Sequence, residues 1–138
     1  MKIHWGRVVI GGFLVELILI VVLIGGFAAA GQPLGDNIPA SQSIIIGIGC
    51  FVVAFLVTLW LGRRIQNGLV LHGFLIGLVA TMIYLGLVAG SGQMSAALRA
   101  YGPATFVTLN LARILGAMLG GLACEKRRAG MNAALRAS

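Results

Sequence analysis

The stretch from Val8 to Ala30, VVIGGFLVELILIVVLIGGFAAA, decides the fold class of this chain. Glu16 is its one charged residue. A bilayer has a hydrocarbon core about 30 Å thick, which a helix of about 20 apolar residues can cross. The sequence therefore predicts that this stretch forms a membrane-spanning helix.

Three further stretches have the same character, namely Ser43 to Leu61, Leu69 to Ala89 and Ala104 to Ala123. Their apolar runs are continuous, whereas the strands of a membrane barrel alternate apolar and polar residues. Composition agrees, because 59% of the 138 residues are hydrophobic and 9% are charged, against about a quarter charged in soluble domains. We predict an all-α protein, a four-transmembrane-helix bundle that forms a single domain over residues 1–138.

The start of the chain also permits a second interpretation, a cleaved secretory signal. Its first residues, MKIHWGR, are basic, and small residues at 28–30 end the apolar run. A signal core has about 7–15 apolar residues, whereas this run is longer and contains Glu16. We therefore expect the first span to be retained.

The ten Lys and Arg residues are distributed unevenly among the connections. Arg99 lies on one side and Arg113 lies inside the fourth span, while the other eight share the opposite side. These eight are Lys2, Arg7, Arg63, Arg64, Lys126, Arg127, Arg128 and Arg136. Because short positive segments stay in the cytoplasm, we expect both termini to be cytoplasmic, in a bacterial cytoplasmic (inner) membrane.

The same basic clusters indicate the partners of the chain. Arg63-Arg64 and Lys126-Arg127-Arg128 would lie against anionic lipid headgroups, which attract each such charge by about 1 kcal/mol. The net charge of +7 does not indicate nucleic acid, because no basic patch is interleaved with aromatic residues on a soluble module. The expected partners are the lipid bilayer and its anionic headgroups.

The two halves of the chain share a similar segment. Val8–Leu19 (VVIGGFLVELIL) and Leu69–Ala80 (LVLHGFLIGLVA) are identical at five of twelve positions. Each half would form a hairpin that starts on the cytoplasmic side. This pattern predicts a parallel internal repeat of two hairpins.

Small residues recur at every fourth position of the fourth span, and shorter rows occur in the third. Such rows form smooth helix faces that allow close packing, either within one bundle or between subunits. We favour packing within the bundle. The alternative is that this face binds a second copy of the chain, in a homo-oligomer, or another membrane protein. The predicted packing residues are Ala112, Gly116, Gly120, Gly73 and Gly77.

Two charged residues lie inside the predicted spans. At a rise of 1.5 Å per residue, Glu16 and Arg113 are about 14 and 17 Å from the same side of the membrane. An unpaired charge at this depth costs at least about 2.5–3.5 kcal/mol, which favours a pair. Asn110 lies one turn from Arg113 on the same helix face and could accept from the guanidinium.

This charge pair has two interpretations. As a functional site, Glu16 would bind protons or a cationic substrate, with Arg113 tuning it. As a structural clamp, the pair would fix how the first and fourth spans pack. We favour the clamp, because a guanidinium beside a carboxylate opposes the proton cycling that transport requires.

The segment Gly11 to Glu16, GGFLVE, adds a resemblance to a known family. A chain of four short spans with a lone Glu in the first resembles the small multidrug resistance transporters. The resemblance covers the chain length, the number of spans and these six residues. It implies that Glu16 binds protons or cationic drugs, whereas the charge bias and Arg113 depart from the family pattern.

No pattern of catalytic chemistry occurs in the sequence. Paired carboxylates, a Ser-His-Asp set, a phosphate loop and a haem-attachment motif are all missing, so we expect no catalytic residues and no cofactor. His4 and His72 have no acidic cluster beside them, so we expect no metal site and place His72 at the membrane interface. The sequence favours a non-catalytic structural or accessory membrane component over a small oligomeric transporter or channel that uses Glu16.

Overall fold

A computed structural model of the chain describes residues 3–29, 38–65 and 68–137. This part of the chain is helical and contains no strand, which confirms the predicted all-α class with four long helices. The helices are α1 (Trp5–Ala29), α2 (Ala40–Gly62), α3 (Leu69–Gly90), α4 (Met94–Tyr101) and α5 (Pro103–Ala137).

The surface of the bundle is apolar. Helices α1, α2, α3 and α5 are each long and apolar enough to cross a membrane. Large side chains on three of them point outward, with Val21 64%, Ile45 68% and Met82 63% exposed, while Glu16 and Arg113 are buried. Water-soluble monomers rarely expose continuous apolar surface of this kind. The arrangement fits a polytopic membrane protein.

The long helices alternate in direction. The backbone N–H of His4, just before α1, donates to Nε2 of His72 near the start of α3. Arg128, late in α5, donates to the carbonyl of Ile65, which follows α2. The starts of α1 and α3, the end of α2 and the late part of α5 therefore meet at one end of the bundle. We call this the basic end, for its residues Arg7, Arg63, Arg64, Arg127 and Arg128.

Helix α5 packs against both α2 and α3, and α1 packs against the same two helices. Helices α1 and α5 therefore occupy opposite corners of the bundle. The predicted two-hairpin repeat is not evident in this packing. Gly12 approaches Val79 and Ala80 of α3, whereas its counterpart Gly73 approaches Ala117 of α5.

Two helical segments extend beyond the predicted spans. Helix α4 lies in a connection that the sequence left without structure, and α5 continues past Ala123 to Ala137. Both segments are rich in Ala, Leu and Arg, which favour helix. Gly102, with a φ of 73°, adopts the left-handed region open to glycine and separates α4 from α5. At 35 residues, α5 is about 52 Å long and exceeds the hydrocarbon core.

The predicted small residues lie at contacts between helices of this one chain. A Cβ added at Gly120 would come within 2.5 Å of the Phe55 carbonyl oxygen on α2, and one at Gly77 within 2.6 Å of Ile114 Cα on α5. Gly116 and Gly73 approach carbonyl groups of α2 and α5 in the same way, and Ala112 is half-buried against the core. These residues place backbones in direct contact, as small-residue rows do in membrane bundles.

Candidate functional site

The intramembrane charges meet in the bundle. The Nε atom of Arg113 lies 2.9 Å from Oε1 of Glu16, and the two side chains are 4% and 3% exposed. These two atoms have no partner with hydrogen-bond geometry in the described part of the chain. Their attraction is therefore an ionic contact in a region that solvent does not reach.

The rest of the Arg113 guanidinium is also engaged. Its Nη1 donates to Oδ1 of Asn110 at 2.9 Å, and Nδ2 of Asn110 donates to the Phe106 carbonyl one turn earlier at 2.8 Å. The Cζ atom lies 4.3 Å from the centroid of the Tyr84 ring, a cation–π geometry that contributes about 2 kcal/mol when it is desolvated. Three helices thus supply contacts to one guanidinium.

The pairing of α1 with α3 explains why Tyr84 belongs to this site. His4 bonds to His72, 68 residues further along the chain, and Gly12 approaches Ala80 at the same spacing. Because parallel helices rise equally per residue, this register brings Glu16 to the level of Tyr84. The ring therefore lies where it can cover the guanidinium that pairs with Glu16.

The pair differs from the expected clamp between neighbouring helices. Since α1 and α5 are at opposite corners, the long side chains of Glu16 and Arg113 reach toward each other through the bundle interior. Tyr84 of α3, which packs against both helices, covers the guanidinium between them. The contact therefore involves three of the four long helices rather than one helix pair.

Sequence reasoning identified Glu16, Arg113 and Asn110 but missed Tyr84. The available signal was the single tyrosine of the third span, in its later half. Tyrosine carries a polar group and a π face, so a tyrosine at the depth of a buried arginine is a natural partner for it. Its position around the helix axis could not be read from the sequence.

At the basic end, two arginines bind the carbonyl groups where α2 terminates. Arg7 of α1 donates to the Arg64 carbonyl, and Arg128 of α5 donates to the Ile65 carbonyl at 2.7 Å. Residues 63–65 follow α2 and are not helical, so their carbonyls need donors from other segments. Arg7 and Arg128 therefore hold the segment after α2 in place. The other residues predicted to contact headgroups are exposed, namely Arg63, Arg64, Lys126 and Arg127.

His72, which the sequence placed near the membrane interface, lies at the start of α3 at the basic end and is fully buried within the protein. Its Nδ1 lies 2.8 Å from the Gly68 carbonyl, and its Nε2 accepts from the His4 N–H at 3.1 Å. Because Nε2 accepts, Nδ1 is the ring nitrogen that donates, to the Gly68 carbonyl. His72 thus ties the chain before α1 to the start of α3. Within residues 3–29, 38–65 and 68–137, no group of three or more His, Cys, Asp or Glu could hold a metal ion.

Comparisons with known proteins identify no relative of this chain. No family model matches the chain, and neither curated proteins nor solved structures are significantly similar to it. The resemblance to small multidrug resistance transporters therefore rests on its six residues, the chain length and the span count alone.

Proposed function

We propose that this protein is a non-catalytic structural or accessory membrane component, in which the Glu16–Arg113 pair organises the bundle. The observation that carries this proposal is the enclosure of the pair. Its side chains are 3–4% exposed, and Arg113 is already contacted by Glu16, Asn110 and Tyr84. A substrate would have to displace these contacts before it could reach the carboxylate.

The energetics of membrane insertion support the same role. Each charge alone costs at least about 2.5–3.5 kcal/mol in a span, and pairing reduces this cost only when the helices adopt one arrangement. Apolar helices have few other features that select a register. A single buried pair therefore favours one packing of α1 against its neighbours, a role in specificity that buried polar groups serve in some other bundles.

A small oligomeric transporter or channel is the second candidate. One observation favours it, because Oε1 of Glu16 makes an ionic contact with Arg113 but accepts no hydrogen bond among the described residues. This carboxylate oxygen could bind a proton or a cation if the bundle opened and Arg113 moved away. This candidate requires an access path to Glu16 from one side of the membrane.

Flux measurements on reconstituted vesicles distinguish the two candidates. We expect vesicles containing the protein to lose an imposed proton gradient, and to accumulate a lipophilic cationic dye, at the rates of protein-free vesicles. The Glu16→Gln variant should behave identically. Flux that depends on the protein and disappears in Glu16→Gln would establish transport and overturn the structural proposal.

We further propose that the basic end faces the cytoplasm of a bacterial cell. Arg7, Arg64 and Arg128 lie together at this end, which is the distribution that positive-inside insertion produces. Trp5 and Trp60 at the same end are 58% and 55% exposed, as expected for rings at the headgroup level. The termini would then both be cytoplasmic.

Cysteine labelling in intact cells tests this orientation. In a Cys50→Ala/Cys124→Ala background, an impermeant thiol reagent should label Ser95→Cys on α4 and leave Asn132→Cys on α5 unlabelled until the cells are lysed. Both positions are exposed, so accessibility within the protein is matched. Labelling of Asn132→Cys in intact cells would reverse the proposed orientation.

A further inference from the structure

A cavity of about 320 Å³ lies at the basic end, between the end of α2 and the late part of α5. Its lining residues are Arg63, Cys124, Arg127, Arg128 and Met131. Of the four from α5, Arg127 and Arg128 each lie three or four residues from both Cys124 and Met131, so the four share one helix face. Arg63 directly follows α2. Three arginines from two segments thus line one cavity.

The charges on this wall are positive and one of them is anchored. Arg128 contacts the carbonyls of Ile65 at 2.7 Å and of Gly62 at 3.4 Å, which fixes its position. Arg63 and Arg127 are exposed. The acidic neighbour Glu125 is also exposed and is not among the lining residues. A cavity with this lining attracts an anion, and guanidinium groups match the oxygens of phosphate in two-pronged contacts.

The position of the cavity relates it to the membrane surface. Trp60, 55% exposed, lies less than one turn before the end of α2, and exposed tryptophans mark the headgroup level of membrane helices. Cys124 and Met131 add apolar surface beside the arginines. A phospholipid presents the matching chemistry, a phosphate joined to an apolar body.

We propose that this cavity is a phosphate-binding site, and that its depth favours the phosphate of an anionic phospholipid over free phosphate. Binding at this site depends on Arg63, Arg127 and Arg128. General attraction to the bilayer would instead depend on all the basic residues at this end. The neighbouring Arg64 and Lys126 carry the same charge on the same segments but do not line the cavity.

This difference provides a matched test. The full-length protein in a zwitterionic detergent is titrated with short-chain phosphatidylglycerol, with phosphatidylcholine of the same chain length and with inorganic phosphate. Binding is followed by native mass spectrometry. The cavity variant is Arg63→Gln/Arg127→Gln, and the control is Arg64→Gln/Lys126→Gln, which removes equal charge. Arg128 is kept because it also binds the end of α2.

Loss of two charges in the cavity should weaken phosphatidylglycerol binding about tenfold, whereas the control should change it less than about twofold. Binding of phosphatidylglycerol without binding of inorganic phosphate identifies the lipid as the source. Binding of inorganic phosphate with the same dependence on the cavity variant supports the site and assigns it to the free anion. Equal weakening by both double variants, or no saturable binding of either anion, overturns the proposal.

Discussion

Glu16→Gln and Arg113→Gln should each destabilise the bundle by about 3–5 kcal/mol, the range for a buried pair that loses one partner. Each change leaves a charge in the interior, where its former partner was 2.9 Å away. The free energy of unfolding, from denaturation of the purified protein in mild detergent, measures this effect. Glu125→Gln and Arg99→Gln remove the same groups at exposed positions and should change it by less than about 0.5 kcal/mol.

The double variant Glu16→Gln/Arg113→Gln should recover most of this loss. Two neutral amides leave no unpaired charge, and replacing a whole buried ion pair is often close to neutral. The non-additivity of the three free energies gives the coupling between the residues. A double variant no more stable than the worse single variant would mean that the two charges do not depend on each other.

Rescue by the double variant also bears on function. A clamp needs only compatible partners, so the neutral pair should preserve the fold. A transporter needs the carboxylate itself, so the rescued protein would be folded and inactive. The stability cycle and the flux measurement together therefore separate a structural pair from a transport site, even where single variants express poorly.

Gly116→Ala and Gly73→Ala should destabilise the protein by about 1–3 kcal/mol each, the usual effect of overpacking. The added methyl groups would overlap with the carbonyls of Phe51 and Ala117. Backbone atoms cannot rotate away as side chains do, so the helices must separate. Denaturation in mild detergent measures the loss. Because these contacts lie within one chain, the oligomeric state in size-exclusion chromatography should not change.

Gly86→Ala is the matched control for this prediction. It introduces the same methyl group in α3, where nothing lies within 4 Å of the added Cβ. Alanine in a helix interior is favoured over glycine by about 0.5–1 kcal/mol, so this variant should be neutral or more stable. Equal responses at Gly86 and Gly116 would show that close backbone approach does not hold α5 against α2.

The sequence predicted properties that depend on position along a helix. Apolar runs of about 20 residues identified the four spans, and the fixed helical rise put Glu16 and Arg113 at similar depth. The row of small residues on the fourth span was visible for the same reason, since residues four apart share a face. The tail after Ala123 was the exception, because its helix forms outside the apolar run and depends on helix propensity.

Only the tertiary structure decided which faces of the helices meet. Helices that are apolar on all sides carry no stripe that marks the inward face, so their order around the bundle cannot be read from periodicity. This order sets α1 opposite α5, brings Tyr84 to Arg113 and buries His72 between backbone partners. It also gives Arg128 a carbonyl partner at the end of α2, whereas the neighbouring Arg127 is exposed. These features depend on contacts between distant segments, which local sequence does not encode.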